Sequence, residues 1–169
     1  MKLTKYITIF FLLISFYSEI ASANSNVVFI DIDFLIKESI AGKKTLKGIE
    51  EKNNEQTIIF KKRESEIKKR ENEIKKKQNI LSEEEFLKEI NKLKVDINTF
   101  NDEKKKAVQQ LNKFKVDEIN ILLKNFNVVI KDYMNKNSIE MVLNKKNLYI
   151  GKVTSDITEI ILEKVNQIN

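Results

Sequence analysis

Through the first long polar stretch of the chain, apolar residues recur at seven-residue intervals, at Phe60, Ile67, Ile74 and Leu81. The interleaved seam positions are polar: Gln56, Arg63, Arg70 and Lys77. This stretch therefore offers one apolar residue per heptad, where a self-sufficient coiled coil has two. No proline and only Gly48 interrupts Lys43 to Leu81, and Lys, Glu, Ile and Gln favour a helix throughout. The segment Lys62-Arg-Glu-Ser-Glu-Ile-Lys is echoed seven residues on by Lys69-Arg-Glu-Asn-Glu-Ile-Lys. Ser82-Glu83-Glu84-Glu85 then reads as a capping box, with acids suited to the positive end of a new helix dipole. A turn near residues 79–82 follows. The second seam is fuller: Phe86, Ile90, Leu93, Ile97, Phe100, Ala107, Leu111, Phe114 and Ile121, with Lys104 and Glu118 as its polar members. Leu122, Phe126, Val129 and Tyr133 continue it one residue out of phase, as where a coiled seam enters a differently packed region.

The ends of the chain are patterned differently. Asn26 to Ile32 is β-branched and aromatic and predicts a strand buried on both faces. Asp31 or Asp33 can cap a short helix through Phe34, Leu35 and Ile40, which Gly42 is expected to interrupt. After a break over Asn135 to Ser138, Ile139 to Leu143 and Asn147 to Ile150 are candidate strands around a Lys145-Lys146-Asn147 turn. Asp156, with Glu159 three residues on, is placed to cap a last helix carrying Ile157, Ile160, Ile161, Leu162, Val165 and Ile168. The expected fold is α+β and mostly α. A small β-containing head is built from residues 24–42 and 137–169, and a long antiparallel helical hairpin, residues 43–136, projects from it.

Residues 1–23 have the three parts of a secretory leader. Lys2 and Lys5 precede the apolar run Ile7 to Phe16, and Ala21-Ser22-Ala23 supplies a cleavage site after Ala23. The apolar run is about half the roughly 20 residues a membrane-spanning helix needs. The expectation is export with the leader removed.

Composition narrows the chemistry. The chain contains no Cys, His, Trp or Pro, and its three glycines are Gly42, Gly48 and Gly151. An exported chain without cysteine has no disulfide framework, so helices, packing or assembly must stabilise it. Without His or Cys, the commonest general base, the thiol nucleophile and nearly all zinc sites are excluded. Charged residues make up 33% of the chain and the formal net charge is +6. Without Lys2, Lys5 and Glu19 of the leader, 29 basic and 24 acidic residues leave +5. Such a charge favours acidic partners or surfaces.

Four local patterns invite a functional reading. Ala41-Gly42-Lys43-Lys44-Thr45 looks like the end of a phosphate loop. However, Lys37 stands where the first glycine belongs and Lys44 displaces the hydroxyl residue, so nucleotide binding is rejected. Asp31 and Asp33 would share a strand face, but capping the following helix accounts for them. Glu83 to Glu85 lack a loop of spaced oxygen ligands for calcium, and the helix dipole accounts for them. Lys61 to Lys77 holds nine basic and four acidic residues. That run is a solvated basic face suited to acidic headgroups or client charge, with no recognition context for nucleic acid.

The leader and the opening strand Val27-Val28-Phe29-Ile30-Asp31 with its short helix precede the Lys/Glu-rich hairpin. Ile139-Glu140-Met141-Val142-Leu143 and Asp156-Ile157-Thr158-Glu159-Ile160-Ile161-Leu162 follow it. Together these segments resemble the Skp (OmpH) family of periplasmic chaperones over residues 26–169. The resemblance implies a homotrimer whose heads share a β-barrel-like core. Its three arms would enclose a cavity that holds unfolded outer-membrane β-barrel proteins without ATP. Contact with lipopolysaccharide or anionic lipid belongs to the same implied picture.

The expected function is thus a periplasmic holdase and not an enzyme, with no cofactor, no metal and no nucleic-acid partner. Val27, Phe29, Val142, Leu143, Tyr149, Ile160 and Leu162 are expected to build and trimerise the head. Phe60, Ile67, Ile74, Leu81, Phe86 and Ile90 are expected to line or approach the client. Two other classes remain open. A structural envelope rod docking one fixed partner would want apolar residues at both seam positions, where the first arm has Arg63, Arg70 and Lys77. A basic lipid- or lipopolysaccharide-binding protein would lose its ligand steeply as salt rises.

Overall fold

The structure, a computed structural model, describes residues 26–168. The leader at Met1–Ala23 and its cleavage point lie outside the described residues. In chain order the elements are β1 (Val27–Ile30), α1 (Ile32–Glu38), α2 (Ile40–Lys76), α3 (Glu83–Lys136), β2 (Met141–Asn144) and α4 (Thr158–Ile168). Short 3-10 turns at Lys145–Asn147 and Val153–Ser155 separate the last two.

Local capping explains most boundaries. Asp31 ends β1 and caps α1, its carboxylate accepting the Phe34 N–H at 2.9 Å. The break between α1 and α2 falls at Ser39 rather than Gly42. Ser39 is extended, and its hydroxyl accepts the Gly42 N–H at 3.0 Å while the side chain is fully buried. Gly42 lies inside the first turn of α2, where a Cβ would overlap the Ile36 carbonyl oxygen. Its glycine therefore permits a close approach of α1 and α2 and does not stop a helix. At the far end Ser82 and Glu85 form the reciprocal capping box.

The two long helices are unequal. At 1.5 Å per residue α2 runs about 55 Å and α3 about 81 Å. The surplus of α3 returns to the head, where Leu122, Phe126, Val129 and Ile130 enter one core with Val28, Ile30, Leu35, Ile139, Ile157, Ile161 and Val165. The head is thus built from both ends of the chain plus the end of α3. Its polar groups are matched: the Thr158 hydroxyl accepts the Asp31 N–H, and Asn166 Oδ1 accepts the Ile40 N–H at the start of α2, each at 2.9 Å.

β1 and β2 pair in parallel, Val27 opposite Met141 and Ile30 opposite Asn144. The other edge of β1 takes a single bridge, the Ile157 N–H donating to the Phe29 carbonyl at 3.0 Å. No strand forms over Asn147 to Ile150, a correction to the expected pair of strands around the Lys145-Lys146-Asn147 turn. The Asn144 side chain accepts the Lys146 N–H and winds the chain into a 3-10 turn. That sequence lacks the glycine that a tight hairpin turn with positive φ prefers. Asp156 also departs from its expected place. It stands two residues before the helix and its carboxylate accepts the Thr158 N–H at 3.0 Å, while the Ile157 carbonyl accepts the first helical bond.

Candidate functional site

The hairpin of α2 and α3 is the surface on which the sequence reading placed function. Its helices run antiparallel, as paired contacts across it show. Lys52 Nζ lies 4.6 Å from the Phe114 ring centre, and Phe60 meets Phe100 edge-on at 6.0 Å. Lys104 donates to Glu64 at 2.9 Å, and Arg70 to Asp96 at 2.6 Å. Aromatic and cation–ring contacts therefore alternate with ion pairs along the seam.

Few apolar side chains are buried there. Between the head and the tip, Ile74, Leu93 and Phe100 are the hydrophobic residues in the buried class. Phe60, Ile67, Leu81, Phe86 and Ile90 are half-buried, so each keeps part of its surface in solvent. Ile74 is the exception among the six expected client-facing residues, at 4% exposure inside the hairpin.

Other apolar residues lie off the seam and face outward. Ile58, Ile59, Leu87, Val95, Val108 and Val116 are all at least half exposed. The heptad reading passed over them. Their signal is apolar character at positions outside the seam register, as at Ile58-Ile59 directly before Phe60. Leu87 and Val95 border an open groove near the tip, together with Asn91, the basic Arg70, Lys88 and Lys92 and the acidic Glu84 and Asp96.

Several charges on the hairpin are paired locally. Glu89 is held below the usual carboxylate range by a hydrogen bond from Lys92, with Arg70 adding to the effect. Glu71 is lowered in the same way by Lys75, and Glu85 by the Ser82 hydroxyl and N–H. Glu83 to Glu85 therefore serve the helix start, with Glu85 committed to the capping box. Among the described residues no group of His, Cys, Asp and Glu is placed to hold a metal ion, and no helix is long and apolar enough to cross a membrane. Ala41 to Thr45 lies within the first turns of α2, in no loop that could wrap a phosphate.

The head residues divide into two groups. Phe29 is buried with its ring against Gly151, and Val142 and Leu162 pack on the core. Leu143 is half-buried. Val27, Ile160 and above all Tyr149 are exposed, as are Met141, which pairs with Val27 in the sheet, and Ile150 and Val153.

Comparison with known proteins gives a consistent result. A family model described as outer membrane protein (OmpH-like) matches residues 26–165. A crystal structure of an outer membrane chaperone (OmpH-like) from Caulobacter crescentus CB15 superposes with a TM-score of 0.80. That match covers 87% of each chain at 10% sequence identity, a likeness of fold. No curated protein matches the chain in sequence.

Proposed function

The chain belongs to the OmpH-like family of periplasmic chaperones, and from that premise we propose that it is an ATP-independent holdase for unfolded outer-membrane β-barrel proteins. The observation that carries the reading is the hairpin itself. It combines three buried apolar side chains with many half-exposed or exposed ones on a charged scaffold. Weak apolar contacts and charge attraction spread over such an arm can retain a mobile chain without demanding one bound shape. Sparse burial also leaves the arm locally compliant. Phe60, Ile67, Leu81, Phe86 and Ile90 offer apolar surface to the client, and Ile74 supports them from inside the seam.

The functional unit in this proposal is a homotrimer. Residues 24–42 and 137–169 form the head together with the end of α3, the rest of residues 43–136 the arm with its tip near 79–82, and residues 1–23 a leader removed on export. A two-stranded sheet is marginal by itself. The exposed Val27, Tyr149 and Ile160 give the head apolar surface for copies of the same chain to cover.

The test uses residues 24–169 and a β-barrel outer-membrane protein diluted from urea, followed by light scattering without nucleotide. Suppression of aggregation saturating near three chains per client is the expected result. No suppression at any ratio would turn the interpretation to a structural rod with one fixed partner.

The tip groove favours a second reading, contact with anionic lipid or lipopolysaccharide, because Arg70, Lys88 and Lys92 outnumber Glu84 and Asp96 around the apolar Leu87 and Val95. That contact predicts binding to anionic vesicles that weakens with salt, and none to neutral vesicles.

A further inference from the structure

Near the head a groove of about 480 Å³ lies between α2 and α3, lined in its apolar part by Ile40, Ala41, Gly48, Phe114, Ile121 and Leu122. Gly48 stands in the interior of α2, where glycine weakens a helix relative to alanine. Packing does not require it: a Cβ at Gly48 would meet nothing within 4 Å, in contrast to Gly42. Ile40 and Ile121 remain 57% and 53% exposed at the groove's walls. The groove lies where the buried face of α3 changes phase. Phe114 still belongs to the arm seam, Leu122 already belongs to the head core, and Ile121 between them is left facing solvent.

We propose that this groove receives one apolar side chain of an extended, unfolded polypeptide, an assignment that rests on the holding role above and gives it a defined seat. The rim selects the occupant. Lys44 and Glu118 carry opposite charges, and Thr45 and Asn125 add hydrogen-bond donors and acceptors. A neutral rim of mixed donors and acceptors suits a peptide backbone, whereas an anionic headgroup calls for a net cationic rim. The groove's volume lies in the range of pockets that take a small ligand, ample room for one side chain with the backbone that carries it.

The chain contains no tryptophan, so tryptophan emission of a bound client reports the client alone. The probe is a urea-unfolded, tryptophan-containing β-barrel outer-membrane protein titrated with residues 24–169. Gly48→Leu fills the groove, Ile121→Gln makes an already exposed wall polar, and Gly48→Ala serves as control. Both groove variants should bind the client about tenfold more weakly, the scale of one buried side chain, while the control binds as wild type. Circular dichroism checks the fold, and if Gly48→Leu fails to fold, Ile121→Gln carries the test. Wild-type affinity in both groove variants overturns the assignment. So does a changed oligomer mass, which would place a second copy in the groove. Lost binding to phosphatidylglycerol vesicles with client affinity intact overturns it in favour of lipid. A wild-type chain that binds no client removes the holding role itself, an outcome separate from failure at the groove.

Discussion

Arg70 reaches across the hairpin to Asp96, Nη1 to Oδ2 at 2.6 Å, with a second carboxylate, that of Glu89, at 3.6 Å. Arg70 occupies a seam position where a rigid coiled coil would carry an aliphatic residue. The seam therefore closes at this level by charge. Lys104 and Glu64 form a second bridge between the helices at 2.9 Å. Both pairs are more than a third exposed, so solvent and salt moderate them.

Arg70→Ala should accordingly lower stability by about 1 kcal/mol or less at low ionic strength. The effect should shrink between 0.01 and about 1 M salt as screening shortens the reach of the charges. A double-mutant cycle with Asp96→Ala, read by urea denaturation, isolates the coupling. A coupling that salt leaves unchanged would mean that Arg70 acts through packing of its stem.

Two glycines six residues apart on one helix should respond to alanine with opposite signs. At Gly42 the new methyl collides with the Ile36 backbone carbonyl, so the α1–α2 joint must shift, at about 1–3 kcal/mol. At Gly48 the methyl enters open space and restricts the unfolded chain, which should stabilise by about 0.5–1 kcal/mol. Thermal or urea unfolding of the two variants against wild type tests this. Destabilisation at both would show that the base of α2 is packed more closely than Gly48 indicates.

The same pair marks how far the sequence could be read. A glycine between helical segments reads equally as a breaker or as a contact, and only the position of Ile36 decides for Gly42. Patterns that rest on local chemistry were legible: the capping box of Ser82 and Glu85, the Asp31 cap and the seam from Phe86 to Phe114. The phase change after Phe114 was visible as well, but its consequence was not. Ile121 fits the heptad arithmetic yet faces solvent, because the head core takes Leu122 and Phe126 on the neighbouring stripe. Long-range pairing was the least legible. The partner of Met141 to Asn144 is β1, more than a hundred residues away, and nothing local to Asn147–Ile150 reveals that the edge is already taken. The outward apolar residues were missed because a seven-residue template discards what does not fit it.

Ser138, just past the end of α3, is the non-glycine residue with positive φ among the described residues, at 51°. The left-handed region costs an L-residue roughly 1 kcal/mol, and helices commonly end on glycine there. Ser138→Gly should therefore raise stability by up to about 1 kcal/mol, and Ser138→Val should lower it by at least as much. Urea midpoints of the two variants give the comparison. If Ser138→Gly is destabilising, the serine makes an interaction in the assembled protein that outweighs its backbone strain.

Asp156 should give the head a characteristic acid response. Burial is the largest single influence on its carboxyl group and pushes its pKa up, but hydrogen bonds from Lys145 and from the Thr158 hydroxyl and N–H together outweigh it. The folded value therefore lies below the ordinary 3.8. A carboxylate lowered on folding contributes stability that is fully present above its unfolded pKa. That contribution is lost as pH falls through the folded value. Asp156→Asn should thus be less stable than wild type at neutral pH, by about 1–2 kcal/mol for lost charge-assisted hydrogen bonds. The two proteins should converge as the pH falls through that lowered folded value. Chemical denaturation at half-unit pH steps tests both parts. A difference that stays constant down to that pH would assign the stabilisation to the shape of the side chain, and the titrating group would have to be sought elsewhere in the head.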